Sequence, residues 1–102
     1  MSDLPVLPMS EVRTSYYLRL RVADEAGVLA RVTGIVAEAG ISIDAVLQRE
    51  ADEVLGEGAT ATDLIILTHE TREGTMNEAL ARLQALPTVL APIVRIRKEE
   101  LN

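Results

Sequence analysis

The segment Asp24-Glu25-Ala26-Gly27 comes nearest to carrying chemistry in this sequence. It stands between an alternating run and a helix-like run. Its glycine frees the backbone beside the exposed amides of a helix N-terminus, a setting that suits a carboxylate. Asp24 is placed to accept an ammonium group, and Ser42, near the start of a later strand, offers a neutral hydrogen bond. Together they would clamp the two charged ends of a free amino acid. Asp24 also has a plainer use, because an Asp before a helix commonly caps it or stabilises the turn. The residues by themselves leave both uses open.

Other candidate residues are thinner. His69 is the single histidine, and a catalytic or metal role would need carboxylates gathered round it; a hydrogen-bonding role in a loop or at a strand end is expected instead. Glu50, Asp52, Glu53 and Glu57 have the donor type for a divalent cation. They flank Gly56-Glu57-Gly58, so a solvated hairpin tip is the expectation. Thr68 and Thr71 are expected to order the loop before a second helix. No nucleophile is paired with a base and no cofactor loop is evident, so the chain is expected to hold no metal and no cofactor and to catalyse nothing itself.

Composition narrows the classes further. The 102 residues suffice for one domain but not for a dinucleotide-binding domain plus a substrate domain. Hydrophobic residues at 48% and charged residues at 25% describe a folding chain. The interior must be aliphatic, because Tyr16 and Tyr17 are the only aromatic residues. A net charge of -6 disfavours nucleic acid and anionic membranes, whose recognition draws on clustered Lys and Arg. The absence of cysteine removes disulfides and thiol chemistry and suits the cytosol. No apolar run reaches the roughly 20 residues of a membrane span, so a cytoplasmic location is expected.

The elements that must position the loop follow from periodicity. Residues 1–14, with Pro5 and Pro8, read as an extended lead-in, yet Leu4, Val6, Leu7, Met9 and Val12 are apolar enough to pack on something. Leu18, Leu20 and Val22 alternate with Tyr17, Arg19 and Arg21, as in a strand with one buried face. Val28, Val32, Ile35, Val36 and Ala39 recur at helical spacing before Gly40. Ile41-Ser42-Ile43 opens a second strand running to about Arg49, and Leu64-Ile65-Ile66-Leu67 reads as a third strand covered on both faces. Met76, Ala79, Leu80, Leu83 and Leu86 make a second helix, opened near residues 71–75 and ended by Pro87. Val89-Leu90 with Val94 and Ile96 make a fourth strand, and Pro92 requires an edge.

The order βαββαβ is an α+β plan, the ferredoxin-like sandwich: a four-stranded antiparallel sheet ordered 4-1-3-2 with two helices on one face. The folded unit is expected over residues 15–98, with 99–102 as a tail in which Glu99 and Glu100 fray. Apolar residues left on the other sheet face call for a partner. This plan hosts many functions. RNA recognition needs aromatic residues on central strands and a basic balance; copper chaperoning needs Cys-x-x-Cys; acylphosphatase chemistry needs an Arg in the first loop. The chain offers only the Tyr16-Tyr17 pair in an acidic balance, no cysteine, and no Arg in the first loop.

The run from Tyr17 to Ala30, Tyr-Leu-Arg-Leu-Arg-Val-Ala-Asp-Glu-Ala-Gly-Val-Leu-Ala, resembles the opening of the ACT domain at the C-terminus of bacterial homoserine dehydrogenases. Gly40-Ile41-Ser42-Ile43 with Val46-Leu47-Gln48 resembles its second strand. Ile65-Ile66-Leu67-Thr68-His69-Glu70-Thr71 is similar to its third strand and following loop, and Leu86-Pro87 through Val94-Arg95-Ile96-Arg97 to its closing strand. Leu4-Pro5-Val6-Leu7-Pro8-Met9 resembles the linker leaving the catalytic region. One departure is Ala26, where such loops often carry Pro; the loop thereby keeps more freedom before a ligand binds.

The resemblance implies an end-product sensor that forms homodimers through ACT–ACT pairing and binds an amino-acid effector, threonine, between the first loop and the start of the second strand. It places Asp24, Glu25, Ala26, Gly27, Val28 and Leu29 on one side of that site and Ile41, Ser42 and Ile43 on the other. It implies further that NAD(P) belongs to catalytic domains of a parent chain and not to these residues. Two alternatives stay open: a dimerisation module without a functional ligand site, and a stand-alone sensor acting on a separate protein.

Overall fold

The computed structural model describes residues 12–49, 53–54 and 60–98. The apolar residues Leu4, Val6, Leu7 and Met9, the Gly56-Glu57-Gly58 turn, the carboxylates of Glu50, Asp52 and Glu57, and the tail with Glu99 and Glu100 lie outside them. The described elements are β1 (Arg13–Thr14), β2 (Tyr16–Ala23), α1 (Val28–Glu38), β3 (Ile43–Gln48), β4 (Glu53–Val54), β5 (Thr60–Thr68), β6 (Thr71–Arg72), α2 (Glu73–Gln84) and β7 (Val94–Arg97).

Alternation decides which face of β2 is covered. Tyr16, Leu18, Leu20 and Val22 are buried, whereas Arg19 is exposed and Tyr17 and Arg21 are half-buried. β2 pairs antiparallel with β5 and with β7, and β3 pairs with β5, giving the order β3-β5-β2-β7 with β4 also against β5. This is the expected arrangement read from its other edge. The core joins Leu18, Leu20, Leu64 and Ile66 of the sheet to Val28, Val32, Ile35 and Val36 of α1 and to Met76, Ala79 and Leu83 of α2. Both helices therefore pack on one sheet face, and among the described residues no element covers the opposite, open face.

The ends of elements differ from their expected places for physical reasons. After α1, Gly40 takes φ 83, its N–H donates to Ala37, and the Ile41 N–H donates to Val36. This pairing satisfies the last carbonyls of the helix and needs a left-handed residue. Ile41 closes the helix and is buried at 3%, so β3 starts at Ile43 and not at Ile41. α2 begins at Glu73 because Thr71 and Arg72 form β6, which pairs with β1. It ends at Gln84, since Pro87 bars the helical conformation to Leu86. Val89 and Leu90 bind along β2, through a Val22–Val89 bridge and a Leu90 N–H bond to Arg21 at 2.7 Å, but the ladder breaks at Pro92 before β7 resumes.

Two features lie beyond the periodicity. Arg13 and Thr14, at the end of the apolar lead-in, pair with Arg72 and Thr71, and the Glu73 N–H donates to the Val12 carbonyl at 2.8 Å. In β7, Arg95 reaches Asn77 and Arg97 reaches Glu73, both on α2, so the arginines face the helices and Val94 and Ile96 lie on the open face. The run Leu64-Ile65-Ile66-Leu67 is likewise divided: Leu64 and Ile66 are buried, while Ile65 and Leu67 are half-buried on the open face, which no element of the described chain covers.

Candidate functional site

The first loop is held at both of its ends. The Asp24 N–H donates to the Thr60 carbonyl at 2.9 Å, and the Thr60 hydroxyl donates back to the Asp24 carboxylate at 3.3 Å. Asp24 thus ties the loop to the start of β5 and does not cap α1. The N-cap is Gly27, at φ 86; no side chain caps the helix and no acidic residue lies in its first turn. The first-turn amides, with the positive end of the helix dipole behind them, are left without a side-chain carboxylate. A β-carbon at Gly27 would meet nothing within 4 Å, so what favours glycine there is the left-handed backbone alone.

Asp24, Glu25, Gly27 and Leu29 border a cleft of about 70 Å³ whose floor includes Val28 and Leu64 and whose rim includes Gln48. Ala26 is exposed beside it. Leu29 is 41% exposed, and Val28 is buried in the core. The volume falls far short of the ~300 Å³ at the lower end of small-molecule pockets. One copy of the loop supplies polar anchors without an enclosure.

The second predicted group lies elsewhere. Ile43 pairs with Thr68, whereas Ala23, at the edge of the loop, pairs with Ala61. Along β5 these positions are about 23 Å apart at ~3.3 Å per residue. Ser42 is exposed and its carbonyl accepts the His69 N–H at 2.9 Å; Ile43 is half-buried, and Ile41 belongs to the core. The structure therefore gathers residues 24–29 at one end of the sheet and Ile41, Ser42 and Ile43 at the other. It does not bring the two groups together within one chain.

Sequence reasoning missed two cavities. One, of about 460 Å³, lies on the open face between Arg19, Arg21, Asp63 and the Leu90–Val94 stretch. There Asp63 accepts from Arg21 at 3.1 Å and lies 3.6 Å from Arg49. The other, of about 250 Å³, lies at the far end with Tyr17, Asp44, His69 and Lys98 in its wall. His69 follows the last residue of β5, and its side chain sits 3.6 Å from Asp44. The alternation of Arg19 and Arg21 signalled an outward face, but no local pattern announces that Asp63 stands opposite Arg21. Among the described residues, no cluster of three metal-ligating side chains occurs, and no helix is long and apolar enough to cross a membrane.

Comparison with known proteins adds a family. A family model described as ACT domain matches residues 16–88. The homoserine dehydrogenase of Methylobacillus glycogenes is 48% identical over 100 residues, covering 98% of this chain and 23% of that protein. The homoserine dehydrogenase of Pseudomonas aeruginosa is 43% identical over 102 residues, covering 100% of this chain and 23% of that protein. The crystal structure of a homoserine dehydrogenase from Thiobacillus denitrificans is similar with a TM-score of 0.81 and 45% identity, covering 100% of this chain and 21% of that one. The chain spans about a quarter of the length of the curated relatives it matches, in their C-terminal part.

Proposed function

Since this chain belongs to the ACT domain family, we propose that it is the effector-binding regulatory domain of a cytosolic homoserine dehydrogenase, and that it binds threonine at a site shared by two copies. The observation that carries this reading is the separation of the two predicted groups. Residues 24–29 offer first-turn amides without a side-chain cap, and Asp24, but almost no enclosure, while Ser42 and Ile43 lie at the opposite end of the sheet. Antiparallel pairing of two copies across a two-fold axis brings the loop of each to the strand start of the other. The effector carboxylate then meets the first-turn amides of α1, its ammonium meets Asp24, and Ser42 of the partner supplies the neutral hydrogen bond.

Regulation follows from differential affinity. Threonine shifts the attached catalytic domains toward an inactive arrangement only if it binds that arrangement more tightly, by on the order of 1–3 kcal/mol. The parent's oxidoreductase chemistry, reduction of aspartate semialdehyde to homoserine, would use a nicotinamide cofactor. That cofactor does not fit here: the sheet is antiparallel and its first strand-to-helix turn carries a single glycine, whereas dinucleotide sites use a parallel sheet and a glycine-rich turn.

Mixing two defective variants tests the shared site. Asp24→Ala and Ser42→Ala should each abolish saturable threonine binding in calorimetry while leaving the circular dichroism unchanged. Their mixture should recover binding at about one quarter of the sites, because half of randomly formed dimers are mixed and each of those has one intact site. A mixture as inactive as its components would overturn the shared arrangement. A well-folded wild-type dimer that binds no threonine would favour the reading as a pure dimerisation module.

A further inference from the structure

At the far end of the sheet the ladder between β2 and β5 continues as a short ribbon. Arg13 pairs with Arg72 and Thr14 with Thr71, in the same antiparallel sense as the strands they extend. One further bond, from the Glu73 N–H to the Val12 carbonyl at 2.8 Å, fastens the lead-in to the start of α2. A two-stranded ribbon of this length is marginally stable in water. Arg13 and Arg72 weaken it more, because both are exposed and directly opposite, and like charges so placed disfavour pairing. Burial of Thr14 and Thr71 acts in the other direction. The ribbon is therefore poised between a paired and an open state, with small terms on either side.

This ribbon adjoins the strand start that the shared site uses. His69 and Glu70 are the residues that separate β5 from β6. The His69 N–H donates to the Ser42 carbonyl at 2.9 Å, which fixes Ser42 just before Ile43 begins β3. On the other strand, Ser15 alone separates β1 from β2, and its carbonyl accepts the Lys98 N–H at 2.8 Å. Ser15 is thus anchored to the main sheet, whereas His69 is anchored on one side by Ser42 and on the other by the ribbon. Opening the ribbon frees Glu70 and Thr71 and loosens the His69 bond to Ser42.

We propose that the β1–β6 ribbon is the element that couples the effector site to the rest of the protein, an inference that rests on the shared site proposed above. Paired, the ribbon holds His69 on Ser42 and presets the strand start for the effector. Open, it releases both that bond and the lead-in. An effector that engages Ser42 binds the paired state more tightly and so draws the ribbon closed. This chain matches the C-terminal part of its relatives, where the segment before Val12 leads to the remainder of the protein. Closure docks that segment on α2 through Val12 and Glu73, so occupancy becomes a change in how the domain is attached.

Amide hydrogen exchange in the full 102-residue chain, followed by NMR, tests the coupling. Glu73 reports the ribbon, His69 reports the strand start, and Leu90, bonded to Arg21 at the other end of the sheet, is the reference. Without ligand, Thr14→Pro removes a ladder donor and should speed exchange at Glu73 and His69 at least about tenfold, with Leu90 unchanged. Arg13→Glu replaces opposed like charges by an attractive pair and should slow both roughly threefold. Saturating threonine should slow Glu73 in the wild type at least about fivefold more than Leu90, and Thr14→Pro should weaken threonine binding in calorimetry to a similar degree, because coupling is reciprocal. His69 exchange indifferent to both substitutions would overturn the proposal, as would bound threonine that slows Glu73 no more than Leu90. Should Thr14→Pro fail to fold, Arg13→Glu and the wild-type titration still decide. A wild type that binds no threonine removes the shared site instead, and the ligand-free response of His69 then settles by itself whether the ribbon governs the strand start.

Discussion

Ile65 and Ile66 are identical neighbours in β5, yet Ile66 is 0% exposed under the helices while Ile65 lies half-buried on the open face. The same contrast runs across the sheet. On the closed face, Leu18, Leu20, Leu64 and Ile66 meet Val32, Val36, Met76 and Leu83. On the open face, Tyr17, Leu67 and Leu47, the last 56% exposed, lie beside Arg19, Arg21 and Asp63. One face is committed to folding. The other keeps its apolar surface and its cavities available to a partner or a ligand, and the catalytic domains of a parent enzyme are one partner that the proposed function supplies.

The largest expected effect breaks the contrast directly. Ile66→Ala should lower unfolding stability by about 3–4 kcal/mol, because it opens a cavity among rigid neighbours, whereas Ile65→Ala should cost about 1 kcal/mol or less in the isolated chain. Urea denaturation of both variants reads the difference. Equal losses would mean that the open face is already covered, as it would be in a dimer that uses it.

Next in size is the ion pair at the border of the closed face. Glu73 is buried at 5% exposure and pairs with Arg97, whose side chain is 23% exposed. Removing one partner leaves the other charge in poor solvent, so Glu73→Ala should cost about 2–3 kcal/mol in a urea melt. The double variant Glu73→Ala with Arg97→Met should recover part of that loss, and no recovery would locate the cost in packing at the start of α2.

Asp63 is the open-face counterpart. It receives Arg21 at 3.1 Å and has Arg49 3.6 Å away, and its side chain is 15% exposed. Asp63→Asn should cost about 1 kcal/mol, between the values for exposed and buried pairs. Added salt should narrow the gap between variant and wild type, because the Arg49 side chain is 61% exposed and therefore screened. A gap that is constant in salt would show that hydrogen-bond geometry carries the pair.

The fold was legible because burial writes itself into spacing. Leu18, Leu20 and Val22 two apart, and Val28, Val32, Ile35 and Val36 three or four apart, are buried where their periods place them. The glycine signals held for a local reason, since Gly27 and Gly40 both adopt positive φ at the ends of α1. Long-range pairing was not legible. Nothing near Asp24 marks Thr60 as the residue that holds it, and nothing near Lys98 marks Ser15 as its backbone partner. The facing of β7 was also hidden: alternation shows that Arg95 and Arg97 share a side, but only the positions of Asn77 and Glu73 on α2 show which. The second half of the predicted site was readable as residues but not as a place, because strand register sets how far Ser42 lies from Asp24.

The smallest expected effect tests whether charges on the outer surface of the closed layer matter at all. Arg82 of α2 donates to Glu38 of α1 at 2.7 Å, and this hydrogen bond, followed by the Arg82 charge, holds the Glu38 carboxyl below its ordinary value. A carboxyl lowered in the folded state stabilises above its unfolded pKa, and that contribution is lost as pH falls through the folded value. Both side chains are about half exposed, so solvent screens the pair and the effect stays small. Glu38→Gln should therefore unfold at slightly lower urea than the wild type at neutral pH. The two melts should converge on acidification below the folded value, and also at neutral pH in about 1 M salt, where charges are screened beyond ~3 Å. A difference that persists at both extremes would mean that Glu38 acts through helix packing and not through its charge, and the outer layer would then belong to the closed face energetically as well as spatially.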